Sequence, residues 1–116
     1  MRADVARADL KRNTRLFATF GDGLSSHAYS NDPGECRSLQ ENGWTLEVAN
    51  AFYVLSSPTG SCPAGTIPLY RVYNNAVRGA PNHRYTTDTT MRQATLANRW
   101  SPSGNGALGV FGCVPQ

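Results

Sequence analysis

Asn82-His83-Arg84-Tyr85-Thr86-Thr87-Asp88 occurs twice in this chain. Its earlier copy is Ser26-His27-Ala28-Tyr29-Ser30-Asn31-Asp32, 56 residues upstream. The offset persists outside the motif without a gap: Arg15 maps onto Arg71, Gly23 onto Gly79, Asn42 onto Asn98, Trp44 onto Trp100 and Val54 onto Val110. The two histidines and the two tryptophans of the chain are each one such pair. A fixed period of this length predicts an internal repeat, so each copy is read as one structural unit.

Each copy carries the same succession of local signals. In the first, Leu16–Phe20 reads as a strand, Gly21–Gly23 as a turn and His27–Ser30 as a second strand. Asp32-Pro33-Gly34-Glu35 is a helix start: Asp caps, Pro suits the first helical position, and Glu three residues on completes a capping box. The helix runs from Pro33 to about Asn42 with Cys36 and Leu39 inward, and Gly43 ends it. Trp44–Glu47 reads as extended and Ala51–Leu55 as a buried strand. In the second copy Ile67–Tyr73 and His83–Thr86 read as strands, Asp88 caps a helix to about Asn98, and Leu108–Phe111 reads as the closing strand. The loop Ser56–Ala64 separates the copies. The expected fold is therefore α+β: two tandem strand-strand-helix-strand repeats, residues 14–57 and 67–115, packed about a pseudo-two-fold axis in a single domain, 14–116. The alternative is a mostly-β, β-trefoil-like arrangement. Residues 1–13 are read as a short helix or a frayed arm outside it.

A chain of 116 residues supplies one small domain, and 40% hydrophobic with 16% charged residues marks it as globular. The formal net charge of +3 sits in residues 1–15, where five basic residues face two acidic ones. Beyond Arg15, six basic and six acidic residues cancel. A neutral repeat region gives no reason to expect nucleic-acid binding. No stretch approaches the roughly 20 apolar residues of a membrane span. Of the three cysteines, Cys62 precedes the second repeat and Cys113 closes it. A bridge between them would close a loop of about 50 residues and contribute on the order of 4 kcal/mol in the chain-entropy model. Such a bridge suits an oxidising compartment, extracellular or periplasmic. Cys36 is left odd, and the spacing of cysteines and histidines matches no zinc site.

With these motifs the chain resembles the DUF5648-type repeat domain of bacterial secreted proteins. The resemblance is carried by Tyr70-Arg71-Val72-Tyr73-Asn74, His83 to Asp88, Ser26 to Ser30, Glu35-Cys36, Gly43-Trp44 and Cys62 to Thr66. It covers about residues 14–115. It implies an accessory binding role beside exported enzymes. It also implies a cysteine at the position of Thr14 as a partner for Cys36, which this chain lacks.

The candidate binding residues are the aromatic-polar pairs Tyr73, Asn74, Asn82, His83, Tyr85 and Trp100, with His27, Tyr29 and Trp44 in the first copy. Exposed rings beside amide and guanidinium donors suit sugars, which offer an apolar face and a rim of hydroxyls; buried, the same rings are simply core. His27 and His83 read equally as structural side chains in one local frame, and Asp32 and Asp88 as helix caps. The reading that follows is an exported accessory module binding polysaccharide or cell-wall glycan without catalysis, cofactor or metal. One alternative is a small hydrolase of glycosidic, ester or lactone bonds using His27 or His83 with a carboxylate such as Asp88. Another is a structural repeat that self-associates into a homo-oligomer.

Overall fold

The computed structural model describes residues 11–19, 26–76 and 81–116. They fall into two compact units, Arg12–Tyr53 and Val54–Gln116, Lys11 being grouped with the latter. The arm residues before Lys11 and the Gly21–Gly23 turn lie outside the described residues.

The first unit contains β1 (Lys11–Thr19), β2 (Ser26–Ser30), α1 (Pro33–Glu41) and most of β3 (Thr45–Leu55). β1 pairs antiparallel with β2, Arg15 opposite Ser30 and Phe17 opposite Ala28, and β3 takes its other side. Phe17, Ala28 and Ser30 are buried on one face. α1 contacts that face: Ser30 Oγ donates to Glu35 Oε1 (2.6 Å), and an Arg15 guanidinium nitrogen lies 4.0 Å from Cys36 Sγ. α1 starts as its sequence dictates. Asp32 accepts the Glu35 amide at 2.9 Å, and Pro33, lacking an N–H, occupies the first turn. It ends where Gly43 takes φ +90°, which lets Trp44 N–H return to Leu39 O.

The second unit contains β4 (Thr66–Tyr73), β5 (His83–Thr86), α2 (Thr89–Ala97), β6 (Ser101–Pro102) and β7 (Val110–Pro115). β4 is central. β5 pairs with one edge, and β7 and β6 follow each other along the other, all antiparallel. β7 in turn pairs with the end of β3 at Leu55 opposite Cys113. Val54, Tyr70, Val72, Val110, Phe111 and Cys113 are buried here. Cys62 and Cys113 are disulfide-bonded with Cα atoms 5.7 Å apart.

The expected α+β class is corrected. Antiparallel strands dominate and the two helices are nine residues each, so the fold is mostly β. The ladders are open, ending on β2 in one unit and β5 in the other. The expected residue-for-residue match between the two copies fails in part, for a specific reason. Helix ends match at the 56-residue offset: Trp44 N–H returns to Leu39 O, and Trp100 N–H to Thr95 O. The hairpins do not. Arg15 faces Ser30, whereas Arg71 faces Tyr85 and it is Tyr70 that faces Thr86. A slip of one residue sends a strand's side chains to the opposite face. Accordingly Arg15 reaches α1, while in the second unit Tyr70 lies under Arg92 of α2 and Arg71 reaches Ser103 and Phe111.

Three boundaries also differ. β1 begins at Lys11, inside the supposed arm. β3 is one continuous strand of 11 residues, with Thr45–Ala51 exposed rather than partly core. The closing strand starts at Val110, because Gly109 at φ +73° and the paired Asn105–Val110 amides hold the preceding residues in a turn. Leu108 is thereby 50% exposed.

Candidate functional site

The β4–β5 hairpin carries most of the candidate residues and sorts them onto two faces. Its register sets Tyr73 opposite His83 and Arg71 opposite Tyr85, so these four share one face. Tyr73 and His83 stack, ring centroids 4.7 Å apart at 29°. Tyr85 meets Phe111 edge-on at 5.2 Å, and the Arg71 guanidinium lies 5.1 Å from the centre of the same ring. Arg71 is buried and its Nε donates to Ser103 O at 2.6 Å. Tyr85 is therefore packing, whereas Tyr73 and His83 are half-buried at the hairpin's end.

Asn74 and Asn82 close that end. Asn74 Oδ1 accepts the amides of Ala76 (3.0 Å) and Asn82 (2.9 Å), and the Asn74 amide donates to Asn82 O. Asn74 thus spends its side-chain acceptor on the loop rather than offering it to a ligand.

Trp100 belongs to the other face. Val72 and Arg84 are paired there, and the exposed Arg84 guanidinium lies 4.8 Å from the centre of the half-buried Trp100 ring. A guanidinium over an indole face is electrostatically attractive and covers that side of the ring with an N–H donor plane. The chain around Trp100 is fastened by Asn75, whose Nδ2 donates to Arg99 O and Ser101 Oγ, both at 3.0 Å. Tyr73, His83 and Tyr85 therefore form one group and Trp100 another. Arg84 joins Trp100 without having been singled out. The signal was available: its counterpart at the 56-residue offset is Ala28, which is buried.

In the first unit, His27 Nε2 lies 3.2 Å from Glu47 Oε1, with side chains 53% and 35% exposed. His27 stands opposite Ala18 in the hairpin, not opposite an aromatic residue as His83 does. The two histidines do not share a local frame, a direct result of the register slip. Tyr29, on the face of His27, meets Phe52 edge-on at 5.2 Å, and Trp44 is half-buried after α1. Glu47 is the carboxylate nearest a histidine here. Asp88 instead caps α2, accepting from Thr90 (2.8 Å) and Met91 (3.2 Å).

Cys36 is a free, buried thiol. Among the described residues no group of three His, Cys, Asp or Glu is placed to hold a metal, and no helix is long and apolar enough to cross a membrane.

No curated protein and no solved structure matches this chain. The model of one family, described as a domain of unknown function (DUF5648), matches residues 3–110. With nearly its whole length covered by that match, the chain belongs to the DUF5648 family.

Proposed function

We propose that this chain is a non-catalytic, exported module that binds glycan or cell-envelope material through the Arg84–Trp100 platform. The observation carrying this reading is the exposed guanidinium lying over a half-buried indole, on a stretch of chain fastened by Asn75. An aromatic ring suits the apolar face of a sugar, and the exposed Arg84 guanidinium beside it supplies N–H donors for hydroxyl oxygens. Export is supported by the Cys62–Cys113 disulfide, which is characteristic of an oxidising compartment. The test is affinity electrophoresis against a panel of polysaccharides and peptidoglycan pull-down. Wild type is retained by at least one polymer, Trp100→Ala loses retention, and Tyr73→Ala, on the other face, keeps it. Failure of wild type to be retained by any polymer removes the reading.

A second reading, self-association, is favoured by β3. Thr45–Ala51 is exposed throughout, with Leu46 37%, Val48 40% and, further on, Tyr53 56% exposed. Apolar side chains exposed along one strand are a surface for association with another chain. Light scattering over a concentration series decides it: a monomer at every concentration rules it out.

A further inference from the structure

We infer that the ligand of the Arg84–Trp100 platform is an acidic polysaccharide, one carrying carboxylate groups. This inference rests on the glycan-binding reading above. The near-zero charge of residues 16–116 conceals two opposite halves. Residues 16–53 hold Arg37 against Asp22, Asp32, Glu35, Glu41 and Glu47, one basic side chain against five acidic, a net of −4. Residues 54–116 hold Arg71, Arg78, Arg84, Arg92 and Arg99 against Asp88 alone, five against one, a net of +4. The second unit is thus cationic, and its one acidic side chain is engaged in capping α2.

The positive charge is also placed. Arg92 is buried, with its Nε on Leu108 O and its guanidinium over Tyr70. Arg84 is exposed on Trp100, and its positive charge there faces solvent beside a ring. Arg99 immediately precedes Trp100, is exposed, and holds φ +72°. Its counterpart at the end of α1 is Gly43, at φ +90° with open space around it. This left-handed position costs a side-chain-bearing residue energy that glycine does not incur. An arginine kept there, next to the stacking ring, is strain of the kind that collects at ligand sites. Arg84 over the indole, with the exposed Arg99 next to Trp100 in sequence, matches a sugar with a carboxylate: the aromatic ring suits the sugar's apolar face, and the carboxylate takes charge-assisted hydrogen bonds. A nucleic acid would require a longer track of phosphate contacts than two arginines provide.

The experiment is affinity electrophoresis of the full chain in gels containing alginate, laminarin (a neutral glucan) or single-stranded DNA, with thermal melting in parallel. Alginate retards wild type more strongly than laminarin does, and added salt weakens the effect. Arg84→Gln and Arg99→Gly each weaken alginate binding about tenfold, the loss of one charge-assisted contact, and Arg99→Gly, which leaves the Arg84–Trp100 pair intact, does not change retardation by laminarin. Arg99→Gly also melts higher than wild type, so its lost binding is not lost folding. Laminarin binding as strong as alginate binding, or alginate binding untouched by both substitutions, overturns the inference and leaves the glycan reading standing. Retardation by DNA at lower concentration than alginate also overturns it. Retardation by none of the polymers removes the glycan reading itself.

Discussion

Gly112 lies flat against Val54: a Cβ at position 112 would stand 2.6 Å from Val54 Cγ2 and 3.1 Å from Leu55 O. β7 can approach the end of β3 this closely only without a side chain at that point. Val54 is buried, so it has little room to yield. Gly112→Ala is therefore expected to destabilise the protein by about 1–3 kcal/mol, the cost of overpacking. A lowered midpoint in urea unfolding, with unchanged slope, is the expected result; an unchanged midpoint would show that the strands can part without loss.

The disulfide and the free thiol make a second prediction. Thiol titration of denatured, unreduced protein finds one thiol, that of Cys36. Replacing Cys62 and Cys113 together by Ala costs about 4 kcal/mol on the loop-closure estimate for their separation of 51 residues. Paired melting curves of the two proteins measure the loss.

Helix caps are expected to matter almost equally in the two units. Asp32 accepts one amide and Asp88 two, yet each holds the first turn of a nine-residue helix too short to persist unaided. Asp32→Ala and Asp88→Ala should each cost about 1 kcal/mol. Chemical unfolding of both variants checks this, and an Asp88 variant that folds as well as wild type would call for another function for that carboxylate.

The histidines should separate. His83→Ala removes a half-buried stack on Tyr73, with an expected cost of about 0.5–1.5 kcal/mol beyond the lost area. His27→Ala removes only an exposed contact with Glu47, worth under about 0.5 kcal/mol. A screen on glycosidic, ester and lactone substrates belongs with these variants. Hydrolysis by wild type that vanishes in His27→Ala and Glu47→Gln would replace the binding reading with a catalytic one.

What was legible in the sequence was local. Asp32-Pro33-Gly34-Glu35 specified α1 because capping needs only neighbours, and Cys62 and Cys113 flanked the segment they close. Hairpin register was not legible. A gap-free 56-residue offset aligns His27 with His83, but pairing is decided across strands, and a one-residue slip leaves no mark on the alignment. The two histidines consequently read as equivalent, and the two tryptophan neighbourhoods as one kind of site. Leu108 read as the first residue of the closing strand, yet Gly109 behind it turns the chain and the strand starts at Val110. The cationic half was hidden in a sum: charges of opposite sign cancelled only because both halves were counted together.

Cys62 and Cys113 embrace nearly the whole second unit. Proteolytic cleavage anywhere in the Ser103–Leu108 turn would leave two fragments still tethered by sulfur. Each fragment would then meet the other at the high effective concentration of an intramolecular pair, so β7 could stay seated on β4 after the backbone is severed. In an environment rich in secreted peptidases, a nicked molecule of this kind keeps its arginine-bearing surface assembled, and only a reductant releases the pieces.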